Sequence, residues 1–485
     1  MASNLRHHGY ADVIIHDIEE GGIRTSVKEV VDSGVELVGI DAEYAVFSDL
    51  YLKYSAMIRE LKPKALIVWG GVNAFQNLDL YLRSPYVDVV TIGESEETIV
   101  ELAHYVEGTS TLEEIPGVAF RRGDRIIRTG LPRIHQNLDE LPLDLEAFDW
   151  SPYIRRVGQD RVLFSYQTSR GCPFKCTFCY NSIYRRPYRA FSEERIISDL
   201  KFFKRKYNVN KVRLIDDLFF IRKERAIRLL KKLFAIGISI YAVDLRASQV
   251  SDDVLGVMEQ TGCTKFYMGT ESPHDEILKA IKKAITRRQI EKALLTVKRH
   301  PRLECETQFM FGLPYQSDKH VKDAIDTSLQ WMSVVENLNI SYVIYIPYPG
   351  TPLYNDVVKY SNGSPPIRTL NDLKKLGVSG YFPYMLDLRW TPHLSPDVRR
   401  KLKVLPIMSD VFLAIRRVYR SLRKYRSPPL VLARLVLWLL YVYYRKRLAS
   451  MLLFRFWKID LLIKNLLLSS LRRIGAFLKK SGNKS

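Results

Sequence analysis

Short apolar runs alternate with polar stretches of helical period along most of this chain. Ala11–Ile15, Leu37–Ile40, Ala65–Trp69 and Val87–Ile92 are nearly continuous apolar runs. Runs of this length suit strands covered on both faces of a parallel sheet. Helical stretches lie between them, so residues 10–107 predict a doubly wound α/β domain. Val118–Phe120 and Arg125–Thr129 flank Arg121-Arg122-Gly123-Asp124, the pattern of a hairpin. From Val162 the alternation resumes, with strands predicted at Val162–Gln167, Lys211–Ile215, Ile238–Val243, Lys265–Met268, Glu304–Phe311 and Ile340–Ile346. Helices such as Ser192–Tyr207, Lys223–Ala235 and Lys319–Asn337 separate them. The expected divisions are 1–114, a Rossmann-like domain; 115–160, a connector; 161–355, the second β/α series; 356–410, an accessory segment; and 411–485, a helical tail.

Charge changes the picture only at the tail. The formal charge is +21 over 485 residues. Residues 411–485 hold 18 Lys and Arg against one acid, Asp460, so the rest of the chain is ordinary. Within the tail, Pro428–Tyr444 is apolar except for Arg434 and is closed by Arg445-Lys446-Arg447. That is short of the roughly 20 apolar residues a spanning helix needs. Leu467, Leu471, Ile474 and Leu478 share one helical stripe, beside Lys464, Arg472, Arg473, Lys479 and Lys480. Trp438, Phe454, Phe456, Trp457 and Phe477 are interleaved. Basic amphipathic helices with aromatics lie in the headgroup layer and favour anionic lipid. An anionic membrane surface is the expected partner. A helical cap on the β/α domain and a nucleic-acid arm are the alternatives, and the leucine content argues against a solvated nucleic-acid arm. Met1 to Asp12 is polar and carries no signal-peptide pattern. Five cysteines, three of them grouped, point to a reducing compartment. The expected location is cytoplasmic, peripheral on the inner face of the cell membrane.

The grouped cysteines are Cys172, Cys176 and Cys179, in Ser169-Arg170-Gly171-Cys172-Pro173-Phe174-Lys175-Cys176-Thr177-Phe178-Cys179-Tyr180. Three thiolates in one loop can hold three irons of a cubane cluster and leave the fourth without a protein ligand. A structural zinc site wants four ligands, usually in paired C-x2-C spacing, and no partner pair exists elsewhere. Cys263 and Cys305 are too few for a second all-cysteine cluster and read as small buried hydrophobes.

This motif, with Phe178 before its last cysteine, resembles the radical S-adenosylmethionine (SAM) superfamily. Over about residues 10–355 the chain is similar to the subgroup with an N-terminal cobalamin-binding-like domain. The resemblance implies a partial (β/α)6 TIM-type barrel after the Rossmann-like domain. It implies a 4Fe–4S cluster on Cys172, Cys176 and Cys179, with SAM chelated to the open iron. Phe178, Asp216, Asp217, Arg246 and Glu271 would contact SAM: a carboxylate at 216 or 217 on the ammonium, Arg246 on the carboxylate, Glu271 on ribose or ammonium. Helix capping by the aspartates and a solvated surface arginine are the structural alternatives. Gly312-Leu313-Pro314 and Tyr348-Pro349-Gly350-Thr351-Pro352 resemble family loops that border the cofactor.

Gly70-Gly71 and Gly93-Glu94 resemble the "GG" and "GE" loops of cobalamin-binding domains; plain turn chemistry is the alternative. The chain begins near the end of that domain's first helix. In some relatives the loop after the first strand, which is missing here, carries the cobalt-ligating histidine. Asp17-Ile18-Glu19-Glu20-Gly21-Gly22 resembles that motif only superficially, since it follows the second strand and has Glu19 for the histidine, and Asp41 replaces a small hydroxyl residue. The domain then either binds cobalamin with no histidine beneath the cobalt or serves as scaffold. The function implied is one-electron cleavage of SAM, fed by a donor such as ferredoxin or flavodoxin. The 5′-deoxyadenosyl radical would take hydrogen from an unactivated carbon of a membrane lipid or isoprenoid-type substrate. Methylation, or carbon–carbon bond formation by cyclisation, would follow. A tRNA-modifying methylthiotransferase would usually need a further N-terminal cysteine trio, and no cysteine precedes Cys172. The other alternative is a non-catalytic membrane-associated binding protein.

Overall fold

The computed structural model of the chain describes residues 1–15, 32, 34–146, 148–157, 160–184, 186–361, 363, 365–373, 388, 390–422 and 439–444. The Asp17–Gly22 stretch and most of the tail, including the leucine stripe, lie outside them. Its contacts gather into two units. One comprises Met1–Val212, Pro347–Asn355 and Pro365–Tyr381; the other comprises Arg213–Ile346, Asp356–Ser364 and Phe382–Ser485.

The first unit opens with a five-stranded sheet in the order β1-β2-β3-β4-β5. Its strands are β1 Leu37–Asp41, β2 Leu66–Gly70, β3 Val89–Thr91, β4 Val118–Arg122 and β5 Arg125–Arg128. β1, β2 and β3 run parallel. β4 and β5 form the predicted hairpin. The helix Glu96–Val106 follows β3 and turns Ile99, Val100, Leu102 and Ala103 inward. There Ile99, Val100 and Leu102 meet Val68, Val89, Val118 and Phe120 in one apolar core. Glu96 and Glu97 occupy its first turn, where the helix dipole favours negative charge.

The predicted strand Ala11–Ile15 does not form; these residues have no regular secondary structure, and the Val13 N–H donates to the Ala11 carbonyl at 3.0 Å. Ile14 and Ile15 are 56% and 44% exposed. A five-residue apolar run becomes a strand only where a neighbour covers it, and periodicity alone cannot supply that neighbour. Beyond the hairpin come β6 Ile154–Val157, β7 Asp160–Tyr166, β8 Ser169–Arg170 and β9 Arg189–Ala190.

β10 Lys211–Leu214 leads into the second unit, which holds β11 Ser239–Arg246, β12 Lys265–Glu271, β13 Glu304–Phe311 and β14 Leu338–Ile344. β11 to β14 pair in parallel in chain order. With β7 and β10, and a helix between each strand and the next, these are the six β/α units of a partial barrel. The helix Glu193–Tyr207 shows how local chemistry fixes an end. The Ser192 hydroxyl accepts from the Arg195 N–H, satisfying one orphan donor of the first turn. The helix Asp318–Val334 stops three residues before the predicted end, at an extended Val335. Asn337 beyond it donates to the carbonyls of Val297, His300 and Leu303.

The helix Leu405–Leu422 packs on β14. It buries Val411, Phe412, Leu413, Ala414 and Ile415. Arg416, 5% exposed, donates to the Met332, Val335 and Leu338 carbonyls. Tyr441 stacks on Phe412 at 5.2 Å. Val411–Arg416, read as the start of the tail, are therefore buried in the second unit, with Tyr441 half-buried against Phe412.

Candidate functional site

The cysteine loop spans Gly171–Tyr188 and is closed at its neck by β8 and β9. Ser169 pairs with Ala190 and Arg170 with Arg189, antiparallel. Gly171 has φ +88°, and a Cβ there would sit 2.3 Å from the Pro187 carbonyl oxygen, so only glycine fits. Cys176 is buried, Cys172 and Cys179 are half-buried, and all five cysteines stand outside disulfides. Inside the loop the Cys179 N–H donates to the Cys176 carbonyl at 3.2 Å. The Ser182 hydroxyl donates to the Cys179 carbonyl at 2.6 Å. The Tyr348–Pro352 loop braces this segment. Leu353 N–H donates to the Thr177 carbonyl at 3.0 Å, and a Cβ on Gly350 would lie 3.3 Å from Ile183. Phe178 is half-buried within the loop. Among the described residues no three His, Cys, Asp or Glu side chains converge on one ion.

Glu94, just past β3, is 8% exposed and lies against both ends of this loop. Arg170 Nη1 is 2.8 Å from its Oε2 and 2.8 Å from Glu96 Oε1. Arg189 donates through both terminal nitrogens, and Arg186 Nη1 is 3.4 Å away. Burial would raise the Glu94 carboxyl, but Arg189 and Arg170 outweigh it and hold it below the usual carboxylate range. Gly93 has φ +76°, and a Cβ on it would lie 2.6 Å from the Tyr184 ring. The GG loop is packed differently. A Cβ on Gly71, φ +94°, would lie 2.9 Å from Asp41 Oδ1 and 3.0 Å from Glu43 N. One on Gly70 would lie 3.2 Å from Thr91 Oγ1. The chain's own atoms thus account for Gly71 and Gly93.

In the second unit, β11 and β12 run three residues further than predicted, so Arg246 and Glu271 are strand residues. β12 reaches Glu271 through an irregularity between Gly269 and Glu271. Glu271 has φ +66° and is 4% exposed. A non-glycine residue held there is strained, and such strain concentrates at functional positions. Lys283 Nζ donates to Glu271 Oε1 at 2.7 Å. Oε2 is buried and accepts no hydrogen bond from the described residues. A Cβ on Gly269 would lie 2.6 Å from Lys283 Nζ. Arg246, 5% exposed, donates to the Lys283 carbonyl; it is not a solvated surface arginine.

Asp216 is buried and Asp217 half-buried just beyond β10. Neither caps a helix: Leu218 and Arg222 hold the next two N-cap positions. Asp244, on β11, is pushed up to about 6 by burial, with Arg213 opposing and Asp216 reinforcing the shift. A cavity of about 320 Å³ lies elsewhere in this unit, lined by Glu306, Ser341, Asp410 and Arg417 among others. Sequence reasoning missed Lys283, Asp244 and the arginines on Glu94. Arg170 alone was within reach, as a charged neighbour of the cysteine motif. Cys305 is fully buried, and burial pushes its thiol far up, which fits the inert reading.

Residues 166–327 match the family model of the Radical SAM superfamily. They form a radical SAM domain. An uncharacterized methyltransferase of Pyrococcus horikoshii is 28% identical over 359 residues, 73% of this chain and 76% of that protein. The anaerobic magnesium-protoporphyrin IX monomethyl ester cyclase of Cereibacter sphaeroides is 25% identical over 74% of this chain and 59% of its own length. The hopanoid C-3 methylase of Methylococcus capsulatus is 25% identical over 72% of this chain. The chain spans 66% of that methylase. Among solved structures, the cobalamin-dependent SAM radical enzyme OxsB, with aqua-cobalamin and SAM bound, superposes with a TM-score of 0.66. It is 16% identical, over 93% of this chain and 68% of OxsB. That likeness shows the fold: a Rossmann-like sheet and a partial β/α barrel.

Proposed function

We propose that the chain is a radical SAM methyltransferase acting on a membrane lipid or isoprenoid-type substrate, with a 4Fe–4S cluster, SAM and cobalamin as cofactors. One observation carries the radical chemistry: three thiols in a neck-closed loop within the matched domain. The donor set fits a cubane with one iron open to SAM. When bound, the cluster supplies the electron that splits SAM to methionine and a 5′-deoxyadenosyl radical able to take hydrogen from carbon. The protein's own residues do the holding. Cys172, Cys176 and Cys179 ligate iron, and Phe178 flanks them. Glu271 Oε2 accepts from the SAM ribose or ammonium. Asp216 or Asp217 accepts from the ammonium. Arg246 acts mainly through Lys283, since it already donates to that residue's carbonyl. The electron donor is a ferredoxin- or flavodoxin-type protein.

Cobalamin is supported by the N-terminal sheet and by the OxsB fold. Gly70, Gly71, Gly93 and Glu94 would border it, although their packing is already explained within the chain. Methylation is favoured over cyclisation by the methyltransferase and hopanoid methylase relatives. The lipid substrate is supported by that methylase and by the basic, leucine-rich tail, which would lie peripherally on an anionic membrane. No helix among the described residues is long and apolar enough to cross a membrane. The test compares lipid extracts by mass with and without the gene. A species heavier by one CH2 that vanishes with the gene supports the reading. A gene-dependent loss of two hydrogens would replace methylation by cyclisation, and unchanged lipids would remove the lipid substrate.

A further inference from the structure

We propose that Glu94 is the positioning residue of the iron–sulfur loop: it ties the two ends of the cysteine loop to the N-terminal sheet. The inference rests on the reading that Cys172, Cys176 and Cys179 hold the cluster. The arginines on Glu94 come from both sides of the trio. Arg170 lies two residues before Cys172, on β8. Arg186 and Arg189 lie after Cys179, Arg189 on β9. One carboxylate therefore joins the outgoing and returning strands of the loop. The β8–β9 ladder has only two residue pairs, too short a ribbon to be stable alone.

The carboxylate is itself fixed. It follows Gly93, whose left-handed φ of +76° places the backbone against the Tyr184 ring. Arg186 continues the connection, donating to the Tyr180 hydroxyl and lying 5.7 Å from the Tyr180 ring centroid. Arg189 Nη1 also donates to the His135 carbonyl at 2.6 Å, tying in the connector. Such charge-assisted, partly bidentate bonds are strong and direction-specific. With three guanidiniums around Glu94 and Glu96, the assembly carries a net positive charge. Removing Glu94 both releases the anchor and leaves the buried Arg189 guanidinium without its carboxylate. The Gly93-Glu94 loop then serves the radical centre whether or not a corrinoid is bound.

The experiment uses full-length protein reconstituted anaerobically with iron and sulfide, then desalted. The variants are Glu94→Gln, Glu94→Asp and Gly93→Ala, with Glu113→Gln as a surface control. Iron per chain, the half-life of the cluster against a ferrous chelator, the EPR spectrum of the reduced protein with and without SAM, and far-ultraviolet circular dichroism are measured. Wild type and Glu113→Gln should hold about four irons, as cubane ligation requires. Wild type without iron would defeat the cysteine assignment itself, a result distinct from failure of the positioning role. Glu94→Gln and Gly93→Ala should keep native dichroism, shorten the chelator half-life at least tenfold and alter the EPR change on adding SAM. Glu94→Asp should recover part of that half-life. Should Glu94→Gln fail to fold, Arg186→Met, which leaves Arg170 and Arg189 in place, should shorten the half-life by a smaller factor. Folded variants with wild-type half-life and EPR spectra would overturn the proposal.

Discussion

Glu94 and Glu271 are two buried carboxylates at strand ends, and they are satisfied to different degrees. Glu94 accepts from Arg170, Arg186 and Arg189, both oxygens used. Glu271 accepts from Lys283 on one oxygen, while the other is buried without a partner among the described residues. Glu94 follows a glycine that absorbs the left-handed turn; Glu271 adopts the left-handed φ itself. A saturated carboxylate holds structure together. A half-satisfied one on strained backbone is prepared for something else, since an unmet buried acceptor is costly to keep. Burial alone does not distinguish the two; leftover hydrogen-bonding capacity does.

The largest effect tests the loop that Glu94 serves. Cys176→Ala removes one of the three proposed iron ligands and should abolish reductive SAM cleavage, read as 5′-deoxyadenosine by chromatography. Normal 5′-deoxyadenosine from that variant would break the comparison at its root. Next comes Glu271→Gln. A hydrogen bond to a charged group contributes roughly 1.5–3 kcal/mol, so SAM affinity by anaerobic calorimetry should fall about 10- to 150-fold. Undiminished affinity would mean that the spare oxygen of Glu271 is not a cofactor contact.

A third carboxylate sharpens the contrast. Asp244 has Arg213 nearby, yet burial wins and its pKa rises to about 6 from 3.8. A raised acid pKa means the unfolded chain gives up its proton first. Stability is therefore lost as pH rises from about 4 to about 6 and stays lost above. Asp244→Asn should gain stability over wild type above pH 6, by at most about 3 kcal/mol, and show no gain below pH 4 in denaturant melts. A gain independent of pH would show that the carboxylate charge is not the cause.

The smallest effect concerns the tail. Residues 446–485 hold ten Lys and Arg against Asp460, and each cation near an anionic leaflet contributes about 1 kcal/mol before screening. Full-length protein should sediment with anionic liposomes more than with neutral ones. A chain ending at Arg445 keeps the Leu405–Leu422 helix and should stay in solution while still cleaving SAM. Tight tail-dependent RNA binding without liposome binding would point to a nucleic-acid substrate instead.

The cysteine loop was legible because its information is local: three thiols within eight residues, with spacing that suits one cluster type. The β/α alternation was legible for the same reason, since each strand and helix declares itself over a short window. The pairing of Glu94 with its arginines was not, the partners being separated by 76 to 95 residues. Lys283 was invisible because nothing in a lysine's neighbours says it will be buried beneath Gly269. The strand ends were set too early at Val243 and Met268. Polar residues at the end of a parallel strand read as loop, although pairing with the next strand keeps them in the sheet. Ala11–Ile15 erred in the opposite direction, an apolar run with no strand beside it among the described residues.

The Leu405–Leu422 helix has a bearing on how the chain is made. β14 is an edge strand, and uncovered edges invite pairing with other chains. The helix that covers it is synthesised some sixty residues later, and Arg416 is the side chain that fastens the carbonyls around Met332 and Leu338. A growing chain therefore passes through a stage in which β14 exists and its cover does not. Chains cut short or delayed between Ile344 and Leu405 would carry that open edge into the cell, where self-association competes with completion of the fold.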